Sequence, residues 1–210
     1  MKLLKRLLPA GALALVIAAG MLFGLDSSGN YAVNPLYGVC LMARDELYVC
    51  DSLLSDESEL PDDLEYVGEI ETFVGGLPGN NMEANDNDHG TQLYLEPELP
   101  ERLYAYDSYR EQYWIYLRCD IGVVFNGMLY ISYPSSKSPE PFTVSSLPED
   151  CSSAGEIRGS RERGVPVQEL EALGLPVGTE LYAYSSHRIY ARTEQYAAVR
   201  YLVLEYMGEI

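Results

Sequence analysis

Positive charge is scarce in this chain. Its 210 residues hold 14 Lys and Arg against 32 Asp and Glu. Lys2, Lys5 and Arg6 stand at the very start, so the chain beyond residue 25 carries 11 basic residues against 32 acidic ones. Such a surface repels phosphate backbones and anionic lipid, which excludes nucleic-acid binding. Histidine is nearly absent. His89 and His187 stand 98 positions apart, each beside turn-forming residues, so no histidine base with an orienting partner is expected. No CxxC pair occurs, which removes zinc-ribbon and thioredoxin-type sites. GxSxG, HExxH, P-loop and GxGxxG patterns are missing too. The sequence therefore points to no cofactor and to a non-enzymatic protein.

Long apolar runs are also missing, with one exception. Leu7 to Leu25 carry no charge over 19 residues, and Asp26 ends the run. A bilayer needs about 20 such residues. The basic residues before the run place the N-terminus inside and the remainder outside. Residues 1–25 read as a hydrophobic helix, either a membrane anchor or a signal peptide. Residues 26–37 read as a linker. The expected location is the cell membrane, with a single N-terminal span and the rest extracytoplasmic; the alternative is secretion. Membrane contact is expected through this segment only.

Four cysteines follow: Cys40, Cys50, Cys119 and Cys151. An exported chain permits disulfides, and four cysteines allow three pairings. Cys40 and Cys50 flank LMARDELYV, which reads as a hairpin turning near Arg44 and Asp45. Paired strands there would bring these two sulfurs together, so Cys40–Cys50 is the candidate disulfide.

The chain also echoes itself. GTQLY at 90–94 returns as GTELY at 178–182. GVCLMARDELYV at 38–49 meets GVVFNGMLYI at 122–131, both opening Gly-Val and closing through Leu-Tyr. Leu60-Pro61 meets Leu147-Pro148, and Gly68-Glu69-Ile70 meets Gly155-Glu156-Ile157. Pro78 and Pro166 each stand 12 positions before the Gly-Thr pair. Leu103-Tyr104 matches Ile189-Tyr190, and WIYL at 114–117 matches YLVL at 201–204. The shared order predicts an internal duplication, with a first unit over 38–118 and a second over 119–210.

The blocks alternate with period two, as in GTELYAY, and tyrosine favours half-buried pleated surfaces. Asn126-Gly127 supplies a tight hairpin turn. Residues 198–207 form the longest strand candidate. VPVQELEALGLP at 165–176 suggests one or two helical turns. The expected fold is mainly β: two tandem, internally repeated small antiparallel β-sheet or barrel units behind an N-terminal hydrophobic helix. A single sheet shared by both copies is the structural alternative.

The succession of hairpin, LP, GEI, GTxLY and IY behind an export segment resembles envelope proteins of clostridial-type Gram-positive bacteria. It covers residues 38–206. It implies an exported location and a duplicated β-module, and it implies no activity.

Three places carry candidate chemistry. Asn85, Asp86 and Asp88 put oxygen ligands on one short loop, the best candidate for a metal. Calcium takes about six to eight such ligands, and the loop lacks EF-hand spacing. Tyr104, Tyr106, Tyr109, Tyr113 and Trp114 crowd YAYDSYREQYWIY and suit glycan or peptide binding. Glu69 and Glu156 recur in the same block, and recurrence favours a structural role, since a catalytic site is needed once. The expected function is binding or envelope assembly, with an envelope protein or a glycan as partner. The alternatives are an exported hydrolase working with carboxylates and a secreted modulator or inhibitor of another exported protein. A modulator would use residues 52–60 or 134–146 as its loop.

Overall fold

The computed structural model describes residues 38–54, 60–86, 89–108, 111–138, 140–195 and 197–210. The expectations for residues 1–37 lie outside them, as do Asp88 and Tyr109. Gly38–Ile210 make one compact unit. Among the described residues every regular element is a strand.

The first sheet contains β1 (Cys40–Ala43), β2 (Glu46–Leu53), β3 (Glu65–Glu69), β4 (Thr72–Phe73), β5 (Glu83–Ala84), β6 (Gln92–Glu96), β7 (Leu99–Asp107) and β8 (Gln112–Arg118). The second contains β9 (Gly122–Phe125), β10 (Met128–Ile131), β11 (Thr143–Val144), β12 (Ser152–Glu156), β13 (Gly159–Arg161), β14 (Glu171–Leu173), β15 (Glu180–Ser185), β16 (Arg188–Gln195) and β17 (Ala198–Glu209). The first sheet runs β3-β6-β7-β8-β2-β1-β5-β4, and the second runs β12-β15-β16-β17-β10-β9-β14-β13. With β11 set aside, strands numbered within each copy run in the same order. The two sheets are similar and separate, not one shared sheet.

Each sheet curls for a covalent reason. Its two edge strands, β3 and β4 or β12 and β13, are separated by only two residues. Three Cα–Cα steps reach at most about 11 Å, so the edges must approach each other. The GEI block makes this corner. Ile70 N–H donates to Thr91 O (2.9 Å) and Gly90 N–H to Ile70 O (2.8 Å), while the next residue, Glu71, donates to Met82 O (2.9 Å). The chain thus leaves the β6 side and joins the β5 side within one peptide. Ile157, Thr179, Gly178, Arg158 and Leu170 repeat the same three hydrogen bonds at 2.8–3.0 Å. Ile70 and Ile157 are fully buried and plug the two curls. Glu69 and Glu156 face solvent.

Inside the second curl, Val123, Tyr130, Ile157, Ala172, Leu181, Ile189, Ala191, Leu202 and Leu204 form one core cluster. The matching residues of the first sheet include Leu41, Tyr48, Ile70, Ala84, Leu93, Leu103, Ala105 and Tyr116, all buried. The alternation in GTxLY explains both sets. Leu93 and Leu181 point into the curl, and Tyr94 and Tyr182 point out.

A second cluster joins the copies. It takes Cys40, Met42, Leu47 and Val49 from the first half, Val124, Leu129, Ile131 and Met207 from the second, and Cys119 from the junction, which bonds back to Leu47. Hairpin register makes Met42 equivalent to Val124, Leu47 to Leu129 and Val49 to Ile131. Equivalent outer surfaces therefore pack on each other, as about a pseudo-twofold axis.

Three expectations change. Hairpin register sets Gly122 against Cys40, not Gly38, so the shared Gly-Val opening is a coincidence of sequence. The helix expected over 165–176 does not form. Leu170 adopts a left-handed backbone (φ 59°), and Glu171–Leu173 pair with β9 and β13 instead. Tertiary pairing overrides the Pro and Gly signals there. The second unit also breaks one strand in two. β2 pairs with β8 as far as Leu53↔Trp114, but β10 stops at Ile131, and β11 takes up the pairing with β17 at Thr143↔Leu202. Residues 132–142 are an insertion inside that strand.

Candidate functional site

Of the candidate aromatic residues, Tyr106 and Tyr113 stand directly across β7 and β8, with ring centroids 4.7 Å apart. Tyr94 meets Tyr113 edge-on at 6.3 Å, and Tyr66 meets Tyr94 at 5.7 Å. Cross-strand register explains the row. Tyr66 opposes Tyr94, Tyr94 opposes Tyr104, and Tyr106 lies two positions beyond Tyr104 on the same face. The outcome is a row of tyrosines across β3, β6, β7 and β8. Burial pushes the Tyr113 hydroxyl pKa up, and the neighbouring Tyr94 and Tyr106 add to it, so its phenol stays neutral.

Two of the expected members stand apart from this row. Tyr104 shares the face but is only 2 % exposed, with its hydroxyl on Glu96 Oε2 at 3.0 Å. Trp114 opposes Ala105 and so points to the other face. Two members that the sequence does not single out replace them. Tyr94 sits inside the GTQLY block, and Tyr66, 54 % exposed, lies in a segment with no aromatic neighbour in sequence.

The second sheet repeats part of this row. Tyr182 and Tyr201 meet at 5.8 Å, at the positions of Tyr94 and Tyr113. Ser153, which opposes Tyr182, stands in place of Tyr66. Arg192, two positions beyond Tyr190, stands in place of Tyr106. Tyr66 and Tyr106 therefore belong to the first copy alone.

In the loop proposed for a metal, Asn85 has a structural role. Asn85 Oδ1 accepts from Cys40 N–H at 2.8 Å, and its amide nitrogen donates to Gly38 O. The side chain clamps the start of β1. Asp86 is exposed. Among the described residues no cluster of three His, Cys, Asp or Glu side chains could hold a metal ion.

The hairpin between Cys40 and Cys50 forms with the expected turn, but the disulfide does not. Val49 stands across from Cys40, and strand alternation sends Cys50 to the opposite face. All four cysteines are free thiols, and Cys40, Cys50 and Cys119 are buried. Burial raises their pKa values; Cys50 and Cys119 are pushed up to about 12.

Each curl also opens at one end. At the first mouth Tyr48 donates to Pro100 O (3.3 Å), and at the second Tyr130 donates to Ser186 O (3.1 Å). Around Tyr48 a cleft of about 360 Å³ is lined by Arg44, Glu46, Arg118, Asp120, Glu162 and Arg163. Arg118 pairs with Asp120 at 2.7 Å. The equivalent cleft beside Tyr130 is lined by Phe125, Met128 and Tyr184. The first cleft borrows Glu162, Arg163 and Leu173 from the second half, whereas the second is lined from its own half alone. The insertion over 132–142 rests on the first copy, with Ser136 Oγ donating to Asp51 Oδ2 at 2.7 Å.

Comparison with protein-family models, with curated proteins and with solved structures finds no match to this chain.

Proposed function

We propose that this is an exported, membrane-tethered binding protein whose first β unit presents its tyrosine row to an envelope glycan or peptide. One observation carries the proposal. Four tyrosines contact one another across four strands, and the two flanking ones, Tyr66 and Tyr106, are replaced by Ser153 and Arg192 in the other copy. Residues kept in both copies are accounted for by folding. Residues present in one copy on the same frame are free to serve recognition. Tyrosine suits that task because its ring offers apolar area and its hydroxyl a hydrogen bond, with few rotamers to freeze. The strongly acidic surface adds selectivity against anionic partners.

The test is retention of the chain on envelope extract and on isolated envelope glycan. Tyr66→Ala and Tyr106→Ala should each weaken binding by about 1–2 kcal/mol, the scale of a moderate interface anchor. Tyr201→Ala in the second row should leave binding unchanged. Equal loss from all three variants would sink the proposal, because the rows would then differ in nothing that matters.

A further inference from the structure

We propose that Gln92 fits the tyrosine row to an uncharged glycan. The assignment rests on the row being a binding surface and adds the class of its ligand. GTQLY and GTELY differ at one position, Gln92 against Glu180. Register shows what changes with it. Gln92 stands across from Tyr106 on β7. Glu180 stands two positions before Tyr182, and Arg192 two beyond Tyr190, which opposes Tyr182. Glu180 and Arg192 therefore face each other, and their side chains pair at 3.9 Å. One place on the common frame holds an uncharged pair in the first copy and an ion pair in the second.

The polar groups of the two pairs are used differently. In the second copy Glu180 Oε2 accepts from the Tyr182 hydroxyl at 2.5 Å, and Oε1 meets Arg192. Both oxygens are occupied within the row. In the first copy Gln92 Oε1 accepts from the Tyr94 hydroxyl at 2.8 Å. Among the described residues its amide nitrogen has no hydrogen-bond partner, and neither have the hydroxyls of Tyr66, Tyr106 and Tyr113. Two amide N–H donors are thus left within the row. Glu69, which opposes Gln92 on β3, is exposed and puts a carboxylate acceptor on its other side. Cross-strand neighbours share a face, so acceptor, donor and ring stand in one line across β3, β6 and β7.

That line disfavours two ligand classes and fits a third. An anionic ligand would meet Glu69 and an acidic chain, with 32 acids against 14 bases. A cationic one would meet the N–H donors of Gln92. A sugar ring carries hydroxyls that both donate and accept, beside an apolar C–H face that covers a tyrosine ring. An extended peptide offers donors and acceptors too, but it pairs along a sheet edge, and this line runs across the sheet face. The second row is the internal comparison. Glu180 and Arg192 engage each other there, and Ser153 stands where the first copy has Tyr66.

The test is retention of the full chain on isolated envelope glycan, split by anion exchange into an uncharged and an anionic fraction, and on tryptic peptides of the envelope proteins. The parent should bind the uncharged fraction saturably. Gln92→Glu should weaken that binding about 5-fold, the scale of one lost hydrogen bond. Gln92→Glu with Tyr106→Arg transplants the second copy's pair and should weaken it about 10-fold or more, since a ring is lost as well. Circular dichroism of the double variant should match the parent, because the second copy carries that pair on the same frame. The single variant carries the test if the double one unfolds. Tyr66→Ala separates the row from its ligand class. If it weakens retention while Gln92→Glu binds uncharged glycan like the parent, the row binds and the glycan assignment falls. If Tyr66→Ala keeps full binding, the row itself falls and the assignment with it. Retention on the anionic fraction or on the peptides, and not on the uncharged fraction, would also overturn the assignment.

Discussion

Glu83 gathers three hydrogen bonds onto one carboxylate. The Asn80 amide lies at 2.8 Å, the Gly79 N–H at 2.9 Å and the Asn80 N–H at 3.0 Å. The Asn80 side chain first, then the two backbone donors, hold its pKa below the usual glutamate range. Glu171 is its twin. Burial pushes that carboxyl up, but the N–H groups of Val167 and Gln168 and the Arg161 guanidinium outweigh it, and the net shift is downward. Both carboxylates close the turn that precedes β5 or β14. A depressed folded pKa contributes stability that is fully present above the ordinary glutamate range. That stability is lost as pH falls through the depressed range. Glu83→Gln and Glu171→Gln should each cost about 1 kcal/mol at neutral pH. The gap to the parent should close as acid protonates the parent's carboxylates. Denaturant midpoints measured across the acid range check this. An unchanged gap in acid would mean that the loss comes from packing, not from charge. Nothing in the sequence marks these two residues among 32 acids. Two of the three partners of each are backbone N–H groups, which leave no trace in residue identity. The recurring Glu69 and Glu156 look more conspicuous and do less.

At the scale of elements, each corner relies on its glycine. Gly68 and Gly155 sit at β-bulges with φ of 150° and 108°. A Cβ on Gly68 would stand 2.9 Å from Met82 Cε, whereas one on Gly155 would meet Leu170 at an ordinary 3.7 Å. Gly155→Ala should therefore cost about 1–3 kcal/mol through backbone strain alone. Gly68→Ala should cost a comparable strain plus the displacement of Met82. The first hairpin shows the opposite case. Arg44 and Asp45 hold φ of 54° and 64°, where the second copy has Asn126 and Gly127. Asn81 supports the turn, accepting from Asp45 N–H at 2.7 Å, as Glu169 supports the other from 3.0 Å. Asparagine tolerates the left-handed region better than arginine. Arg44→Asn should raise stability by about 0.5–1 kcal/mol, read as a higher thermal midpoint. A lower midpoint would show that the Arg44 side chain holds the first mouth together. Hairpins, strands and corners are legible in the sequence because period-two alternation and Gly placement are local signals. Short β14 is not legible, because pairing with β9 and β13 decides it. The tyrosine row is only half legible. Tyr106 and Tyr113 are near in sequence, while Tyr66 and Tyr94 reach them only through register.

The described residues of 38–210 form two similar sheets that cannot be divided cleanly. Repeated blocks reveal two copies in the sequence, but not that the copies share a core. Met42, Leu47 and Val49 read simply as the alternate face of a hairpin until Val124, Leu129 and Ile131 are found packed against them. The shared cluster makes each copy part of the other's support. The chain also carries its own reporter, since Trp114 is the single tryptophan and lies in the first copy. The decisive measurement is equilibrium unfolding of Leu129→Ala followed by Trp114 fluorescence. Leu129 is fully buried in the second copy's half of the shared cluster. Its truncation should cost about 2–5 kcal/mol. One cooperative transition is expected, with the Trp114 signal moving to lower denaturant together with the circular dichroism. A Trp114 transition that stays at its parental midpoint while the second copy unfolds early would mean that the copies do not support each other.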